Sequence, residues 1–170
     1  MTPISIFYGN LFMISDRAGD IESAPASPMG LFFFDTRFLS TWRLSINGER
    51  VQPLSVNDLQ YFEARFFLTP GEPTHYVDSA VSVFRHRWAG DALQENLSVI
   101  NHANDPVELS VRIDADADFA EVLQIKNGPP RERKTIATIG ERELRLRYER
   151  ETFVRETVIS SNVPAAVDDC

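Results

Sequence analysis

An acidic and a basic side chain interrupt the most aromatic stretch of the chain, residues 30–48. Asp35 and Arg37 stand two positions apart among phenylalanines, so in an extended segment both side chains would leave the same face and could share hydrogen bonds. Burial of such a pair costs free energy, so we expect the pair to have a structural or a functional role. Two interpretations stay open: the pair fixes the register of one strand in a sheet, or it marks a surface that meets a ligand or another domain.

The strongest acid–base candidate is Glu95, beside Asn96, with His86 across a turn, because antiparallel neighbours can bring such side chains close together. An enzyme that used these groups would need Glu95, His86 and His102 to converge in one cleft. The sequence has no serine nucleophile elbow, no glycine-rich phosphate loop and no zinc-ligand spacing. We therefore predict no catalytic residues and no cofactor, and we expect that the chain is not an enzyme by itself.

Aspartates at alternate positions, Asp114, Asp116 and Asp118, raise the question of a calcium loop. Such a loop needs glycine at its sixth position and glutamate at its twelfth, where this chain has Phe119 and Ile125. The spacing instead predicts a strand whose alanines point inward and whose three aspartates form a solvated outer face. We predict no metal site.

Composition narrows the class of protein. The chain has 170 residues, of which 43% are hydrophobic, which fits one domain spanning residues 1–170. A net charge of -8 argues against nucleic acid as a partner. Cys170 is the only cysteine, which indicates a reducing compartment. Neither a membrane-spanning run nor an export signal is visible, so we expect a soluble, cytoplasmic protein without a membrane partner.

Short alternating or apolar runs separated by Gly, Pro, Asn and Asp are typical of antiparallel β structure with little helix. Asn47-Gly48 predicts a tight hairpin, because both residues tolerate a positive φ. The predicted strands are residues 11–15, one or two strands within 31–46, then 51–56, 60–68, 77–88, 93–101, 107–113, 143–149 and 153–159. The strands at 77–88, 93–101 and 107–113 would form a meander. The fold class predicted is therefore all-β.

A series of motifs extends beyond the aromatic run. They are GLFFFDTRFLS at residues 30–40, WRL at 42–44, NG at 47–48, FRHR at 84–87, QENLSVINH at 94–102 and DADFAEV at 116–122. In order and spacing they resemble the N-terminal domain of bacterial glycogen debranching enzyme-like proteins of the amylo-alpha-1,6-glucosidase type. The resemblance covers about residues 9–163.

This resemblance implies an antiparallel, supersandwich-like β-sandwich placed ahead of an (α/α) barrel that carries the glycosidase carboxylates. We expect no such barrel within this chain. The expected function is thus a non-catalytic module that supports or docks on a glycosidase barrel, in cis or in trans.

Two alternatives remain. One is a small sugar epimerase-like enzyme that would use Glu95, His86 and His102, and the other is a stand-alone carbohydrate-binding module with an α-glucan as its ligand. Such a module would need exposed rings to stack on sugar faces, and the candidates are Trp42, Tyr61, Tyr76 and Trp88. Their exposure to solvent would separate this module from a docking module. The residues predicted to bind a ligand or to contact another domain are Asp35, Arg37, Trp42, Trp88, Glu95 and Asn101.

Overall fold

The computed structural model describes residues 2–22, 24, 27–71, 80–128 and 133–168. Within these ranges the regular structure is almost entirely antiparallel strand, as predicted. The elements are β1 (Ile4–Tyr8), β2 (Leu11–Ser15), β3 (Ile21–Glu22), β4 (Gly30–Phe33), β5 (Thr36–Leu39), β6 (Thr41–Ile46), β7 (Glu49–Gln60), β8 (Glu63–Pro70), β9 (Val81–Ala89), β10 (Leu93–Asn101), β11 (Val111–Asp116), α1 (Val122–Asn127), β12 (Ile136–Ile139), β13 (Glu143–Arg150) and β14 (Phe153–Ser160).

Two sheets face each other across the main core. The small sheet has the order β1-β2-β4-β5, and the large sheet has the order β10-β9-β8-β7-β6-β11, with β3 paired to β6. Met13 and Leu31 from the small sheet join Phe66, Leu68 and Val83 from the large one in a single buried cluster. Each such side chain stabilises the fold by about 1.5–3 kcal/mol when fully buried. The sandwich-like fold is confirmed.

A third sheet, β12-β13-β14, contacts the sandwich at β5. Leu146 on β13 is buried with Ala117 and Phe119, and Phe38 on β5 packs against this cluster. The hydroxyl of Thr157 on β14 donates to the carbonyl of Phe38 at 2.6 Å. Side chains of the third sheet therefore stand next to the end of the β4–β5 hairpin.

The side chains of β9 alternate between the two faces of the large sheet. Its odd-numbered residues from Val81 to Ala89 are buried, whereas the even-numbered residues between them are half-buried. The strand predicted at 77–88 is therefore confirmed from residue 81 onward, whereas residues 77–79 lie outside the described ranges. We call the side that carries Phe84 and Trp88 the outer face, since the opposite side packs in the core.

The hairpin at Asn47-Gly48 is confirmed. Asn47 and Gly48 have φ values of 52° and 80°, and Ile46 pairs with Glu49 across the turn. The returning strand is longer than the predicted 51–56, because a β-bulge between Pro53 and Ser55 accommodates the proline.

Two predicted strand assignments are wrong. Residues 31–46 form three strands rather than one or two, because Phe34-Asp35 make a turn and Ser40 separates β5 from β6. Residues 60–68 do not form one strand, because the chain turns at Tyr61-Phe62 before β8 begins. Aromatic residues occupy both turns, so the sequence shows no Gly or Pro signal there.

The predicted meander ends in the wrong place. β11 pairs with β6 rather than β10, so the actual meander runs from β6 to β10. The turn residue Asn47 explains this choice: its side-chain Oδ1 accepts the N–H of Ser110 at 2.8 Å, and its own N–H donates to the Ser110 carbonyl at 2.8 Å. The tip of the β6–β7 hairpin therefore guides the chain into β11.

No prediction covers the strands β1, β3 and β12 or the helix α1. The helix has only six residues, too few to show a helical period. At its start the N–H of Glu121 donates to the side chain of Gln124 at 3.4 Å. No helix in the described part of the chain has the length and apolar character to cross a membrane.

Candidate functional site

The turn between β4 and β5 holds an aromatic ring in solvent. Phe33 pairs with Thr36, and Phe34, one of the two residues between them, has a φ of 53°, a region that bulky residues rarely adopt. The Phe34 N–H donates to the carbonyl of Asn10 at 3.0 Å, and the Asp35 carbonyl accepts the N–H of Val122 at 2.8 Å. Because the turn is fixed from both sides, the Phe34 ring stays 61% exposed.

An open depression of about 750 Å³ lies beside this turn. We call its lining the hairpin patch: Phe33, Phe34, Asp35, Thr36, Phe38 and Arg155. The ring of Phe33 meets Phe34 edge-on at 4.7 Å and Phe38 at 6.4 Å. Phe38 in turn meets the buried ring of Phe119 at 5.7 Å. Edge-to-face contacts thus connect the exposed rings to the interior.

The hairpin patch also carries one charge of each sign. The Asp35 carboxylate is exposed and accepts the hydroxyl of Thr36 at 3.2 Å. The guanidinium of Arg155 lies 4.1 Å from the centroid of the Phe153 ring, a cation–π contact that holds it in place. Chemically, this arrangement can bind an apolar surface and orient it by polar contacts at the edge.

Arg37 does not belong to this patch, and the prediction that it shares hydrogen bonds with Asp35 is wrong. Arg37 is 1% exposed. Its Nε donates to Asp118 Oδ1 at 3.1 Å, and its Nη1 donates to the Met29 carbonyl at 3.1 Å. Asp35 lies in the turn, where the alternation of a strand no longer holds. Arg37 therefore connects β5 to the segment after β11, while Asp35 faces solvent.

Glu95 belongs to a buried cluster of charges. Its Oε2 accepts Arg85 Nε at 2.8 Å and Arg87 Nε at 2.6 Å, and its Oε1 accepts the indole N–H of Trp42 at 3.1 Å. Asp20 Oδ1 accepts Arg85 Nη1 at 2.7 Å. We call Asp20, Arg85, Arg87 and Glu95 the core ion cluster; its formal charges sum to zero.

The two arginines of this cluster also hold the connection between β2 and β3. Arg85 Nη1 donates to the Ala18 carbonyl at 3.0 Å, and Arg87 Nη1 donates to the Gly19 carbonyl at 2.7 Å. Buried carbonyls need such donors. The core ion cluster therefore has a structural role, although Nη2 of the buried Arg85 has no hydrogen-bond partner among the described residues.

Electrostatics in the cluster work against acid–base chemistry. Burial favours the neutral form of Glu95, but Arg87 and Arg85 outweigh burial and hold the pKa of Glu95 below its ordinary value. Burial lowers the pKa of Arg87 to about 10 in spite of Glu95, so the guanidinium stays charged at neutral pH. A general acid or base works best with a pKa near the working pH, and neither group has one.

A family model of the N-terminal domain of some glycogen debranching enzymes matches residues 6–169. The chain belongs to this family. The suspected resemblance is therefore confirmed, and the matched range includes the hairpin patch and the core ion cluster. A search of curated proteins finds no match.

The debranching-enzyme N-terminal domain places its two tryptophans in different surroundings. Trp42 is half-buried and gives its indole N–H to the core ion cluster. Trp88 is half-buried on the outer face of the large sheet, with its ring 5.1 Å from that of His86. Tyr61 is exposed, and Tyr76 lies outside the described residues. Trp88 and Tyr61 thus remain accessible to a ligand, whereas the polar end of Trp42 is occupied.

The domain does not bring together the predicted acid–base pair. His86 points to the outer face, where its Nε2 lies 3.0 Å from Glu63 Oε2, while Glu95 points into the core. Strand alternation explains the error, since Asn96, and not Glu95, stands opposite His86. The third proposed member, His102, has its Nε2 2.7 Å from the hydroxyl of Ser82.

Asn101 closes the turn that follows β10. Its Nδ2 donates to the Asp105 carbonyl at 2.8 Å, and its Oδ1 accepts the N–H of Ala103 at 2.9 Å. Both ends of the side-chain amide are used inside the turn, which is the usual role of Asn in such a place.

The prediction of three solvated aspartates is wrong for two of them. Asp114 Oδ2 accepts Arg43 Nη2 at 2.8 Å, and Asp118 pairs with the buried Arg37. Asp116 is exposed. Within the described ranges, no group of three His, Cys, Asp or Glu side chains could hold a metal ion.

Sequence reasoning missed Arg155 in the hairpin patch. In the core ion cluster it named Glu95 but missed Asp20, Arg85 and Arg87. Arg155 stands about 120 positions from the turn that it approaches, and no local pattern reports such a contact. Asp20 ends a polar stretch that reads as an exposed turn. A usable signal did exist: the alternation of β9 placed Arg85 and Arg87 among buried valines, and buried guanidiniums need carboxylates nearby.

Proposed function

We propose that this domain is a non-catalytic module of a glycogen debranching enzyme-like protein, and that the hairpin patch docks on the catalytic (α/α) barrel of that enzyme. The observation that carries the proposal is Phe34, an aromatic ring held outward by a turn with a positive φ. Strained backbone that projects a side chain into solvent is typical of functional positions. An N-terminal domain is joined to the rest of its enzyme, so the catalytic part is the available partner.

The surroundings of Phe34 support an interface. Leu123 on the neighbouring helix is 69% exposed, and Phe33 and Phe153 are also exposed large apolar side chains. Clustered apolar groups of this kind mark interaction surfaces. Aromatic residues and arginine are enriched at the centres of protein interfaces, which fits Arg155 beside the rings.

The acidic groups support a non-catalytic role. Glycoside hydrolysis uses two carboxyl groups about 5–10 Å apart across the scissile bond. Among the residues that line the depression, Asp35 is the single carboxylate. Glu95 and Asp20 are buried in the core ion cluster. The depression therefore lacks the pair of carboxyl groups that hydrolysis needs.

The test is a binding measurement by calorimetry between this chain and a separately produced catalytic domain from a debranching enzyme of the same family. The test variant is Phe34→Asn, because asparagine tolerates the φ of the turn and removes only the ring. We expect binding at least about tenfold weaker, as for the loss of a central interface anchor.

The matched control is Leu54→Ser, which removes an exposed apolar side chain from β7, away from the lining of the depression. It should bind like the unmodified chain. Equal affinity of the Phe34→Asn variant and the control would place the interface elsewhere, and absence of binding by the unmodified chain would refute docking.

A further inference from the structure

The outer face of the large sheet carries a second group of rings and polar side chains, separate from the hairpin patch. On β9 these are Phe84, His86 and Trp88, all half-buried. On β8, Phe67 pairs with Phe84, Arg65 with His86, and Glu63 with Trp88. On β10, Asn96 pairs with His86 and Gln94 with Trp88. Three strands therefore contribute one array, which we call the outer-face array.

The rings of the outer-face array form a row along the strand. The centroids of Phe67 and Phe84 are 4.2 Å apart at an angle of 68°, and those of His86 and Trp88 are 5.1 Å apart at 39°. From Phe84 to Trp88 the strand rises by about 13 Å. The row is long enough to meet several units of a linear ligand.

Polar groups stand on both sides of this row. Glu63 Oε2 lies 3.0 Å from His86 Nε2, and the side chain of Arg65 is 45% exposed. The amides of Gln94 and Asn96 are exposed on β10. Together they supply both donors and acceptors, in planar groups that can bind two hydroxyls at once.

We propose that the outer-face array binds a neutral oligosaccharide. Sugar rings present apolar C–H faces to aromatic rings and hydroxyls around their edges, which is the complement of a row of rings flanked by amides, an imidazole and a carboxylate. The charges favour an uncharged ligand, because Glu63 and Arg65 offset each other on neighbouring positions of β8. The net charge of -8 disfavours polyanions.

The outer-face array and the hairpin patch are different surfaces, so sugar binding at the array does not depend on docking at the patch. The test observes the two tryptophan indole N–H signals of the unmodified chain by NMR during titration with maltoheptaose and, separately, with cellohexaose. Because the chain has two tryptophans, a Trp42→Phe variant assigns both signals. We expect the Trp88 signal to shift and saturate at millimolar sugar, while the Trp42 signal stays in place.

Variants then test the array itself. Trp88→Leu and Phe84→Leu keep apolar bulk but remove a ring face, and each should weaken binding at least about tenfold. Trp42→Phe should bind as the unmodified chain does. The Phe34→Asn variant should also bind normally, which separates this site from the docking surface.

A shift of the Trp88 signal with either sugar supports the site. The relative affinities for maltoheptaose and cellohexaose show which glycosidic linkage the site prefers. The absence of a Trp88 shift with both sugars at millimolar concentration would overturn the proposal. Unchanged sugar binding by both the Trp88→Leu and the Phe84→Leu variants would also overturn it. Loss of sugar binding in the Phe34→Asn variant would do the same.

Discussion

The indole N–H of Trp42 donates to Glu95 Oε1 at 3.1 Å, although Trp42 lies on β6 and Glu95 on β10, four positions away in the strand order of the large sheet. In a flat sheet these strands would be about 19 Å apart. β6 pairs with β7 only at Ser45 and Ile46. At Thr41 and Trp42 it pairs with β3 instead, while β11 pairs with all six residues of β6. The first half of β6 therefore crosses over the core side of the sheet and covers the core ion cluster.

Loss of the Glu95 charge should destabilise the fold strongly. Glu95→Gln leaves Arg85 and Arg87 buried with one carboxylate fewer, and breaking a buried ion pair from one side typically costs about 3–5 kcal/mol. Urea denaturation followed by circular dichroism would measure this loss. Glu149→Gln is the control, since Glu149 forms an exposed pair with Arg147 and should change stability little. Similar effects of the two substitutions would contradict the role assigned to the cluster.

Stability should fall in acid through Glu95. Because the folded-state pKa of Glu95 lies below its ordinary value of 4.5, its contribution is complete above pH 4.5 and is lost as the pH falls through the folded-state pKa. Asp16 acts in the opposite direction, because burial raises its pKa above 3.8. The measurement is therefore the difference in unfolding free energy between the unmodified chain and Glu95→Gln. It should shrink as the pH is lowered below 4.5, and a constant difference would refute the assignment.

Two phenylalanines with the same unusual backbone should lose very different amounts of stability on the same substitution. Phe34 and Phe119 have φ values of 53° and 48°, yet Phe34 is 61% exposed and Phe119 only 2%. Phe34→Asn relieves strain and loses little packing, so its unfolding free energy should change by less than about 1 kcal/mol. Phe119→Asn should cost about 3–5 kcal/mol, because it empties a buried site. Thermal denaturation of both variants decides, and a large loss at Phe34 would show that the exposed ring is structural.

Gly30 should tolerate no side chain. Its φ is 158°, and an added Cβ would lie 2.5 Å from Cδ of the buried Arg37. Gly30→Ala should therefore destabilise the fold by about 2–4 kcal/mol, through overlap together with backbone strain. Gly48→Ala isolates the backbone part, since its φ is 80° with open space around it, and should cost about 1 kcal/mol. Equal losses would mean that Arg37 moves aside freely.

The sequence predicted correctly those features that depend on one short segment of the chain. Alternation along β9 and the Asn47-Gly48 turn each depend on local geometry, and both were predictable. The partner of β11 was not, because the choice between β6 and β10 depends on hydrogen bonds from a turn more than 60 residues earlier.

The candidate site was less predictable for a related reason. The spacing of Asp35 and Arg37 predicts a shared face only if both lie in one strand, and a two-residue turn of Phe34 and Asp35 breaks that condition. The local sequence marks this turn only weakly, since it contains neither glycine nor proline and its one turn-favouring residue is Asp35. The contact of Arg155 with the same depression requires the complete tertiary fold.

The bonds from β9 to the carbonyls of Ala18 and Gly19 also set an order of assembly. The donors on Arg85 and Arg87 are 67 and 68 residues away in the chain. A growing polypeptide therefore cannot complete the connection between β2 and β3 until about half of the sequence has left the ribosome. Contacts of such long range slow folding. Until then the carbonyls of Ala18 and Gly19 lack these two donors, and partly folded chains that expose unfinished surface are prone to aggregation.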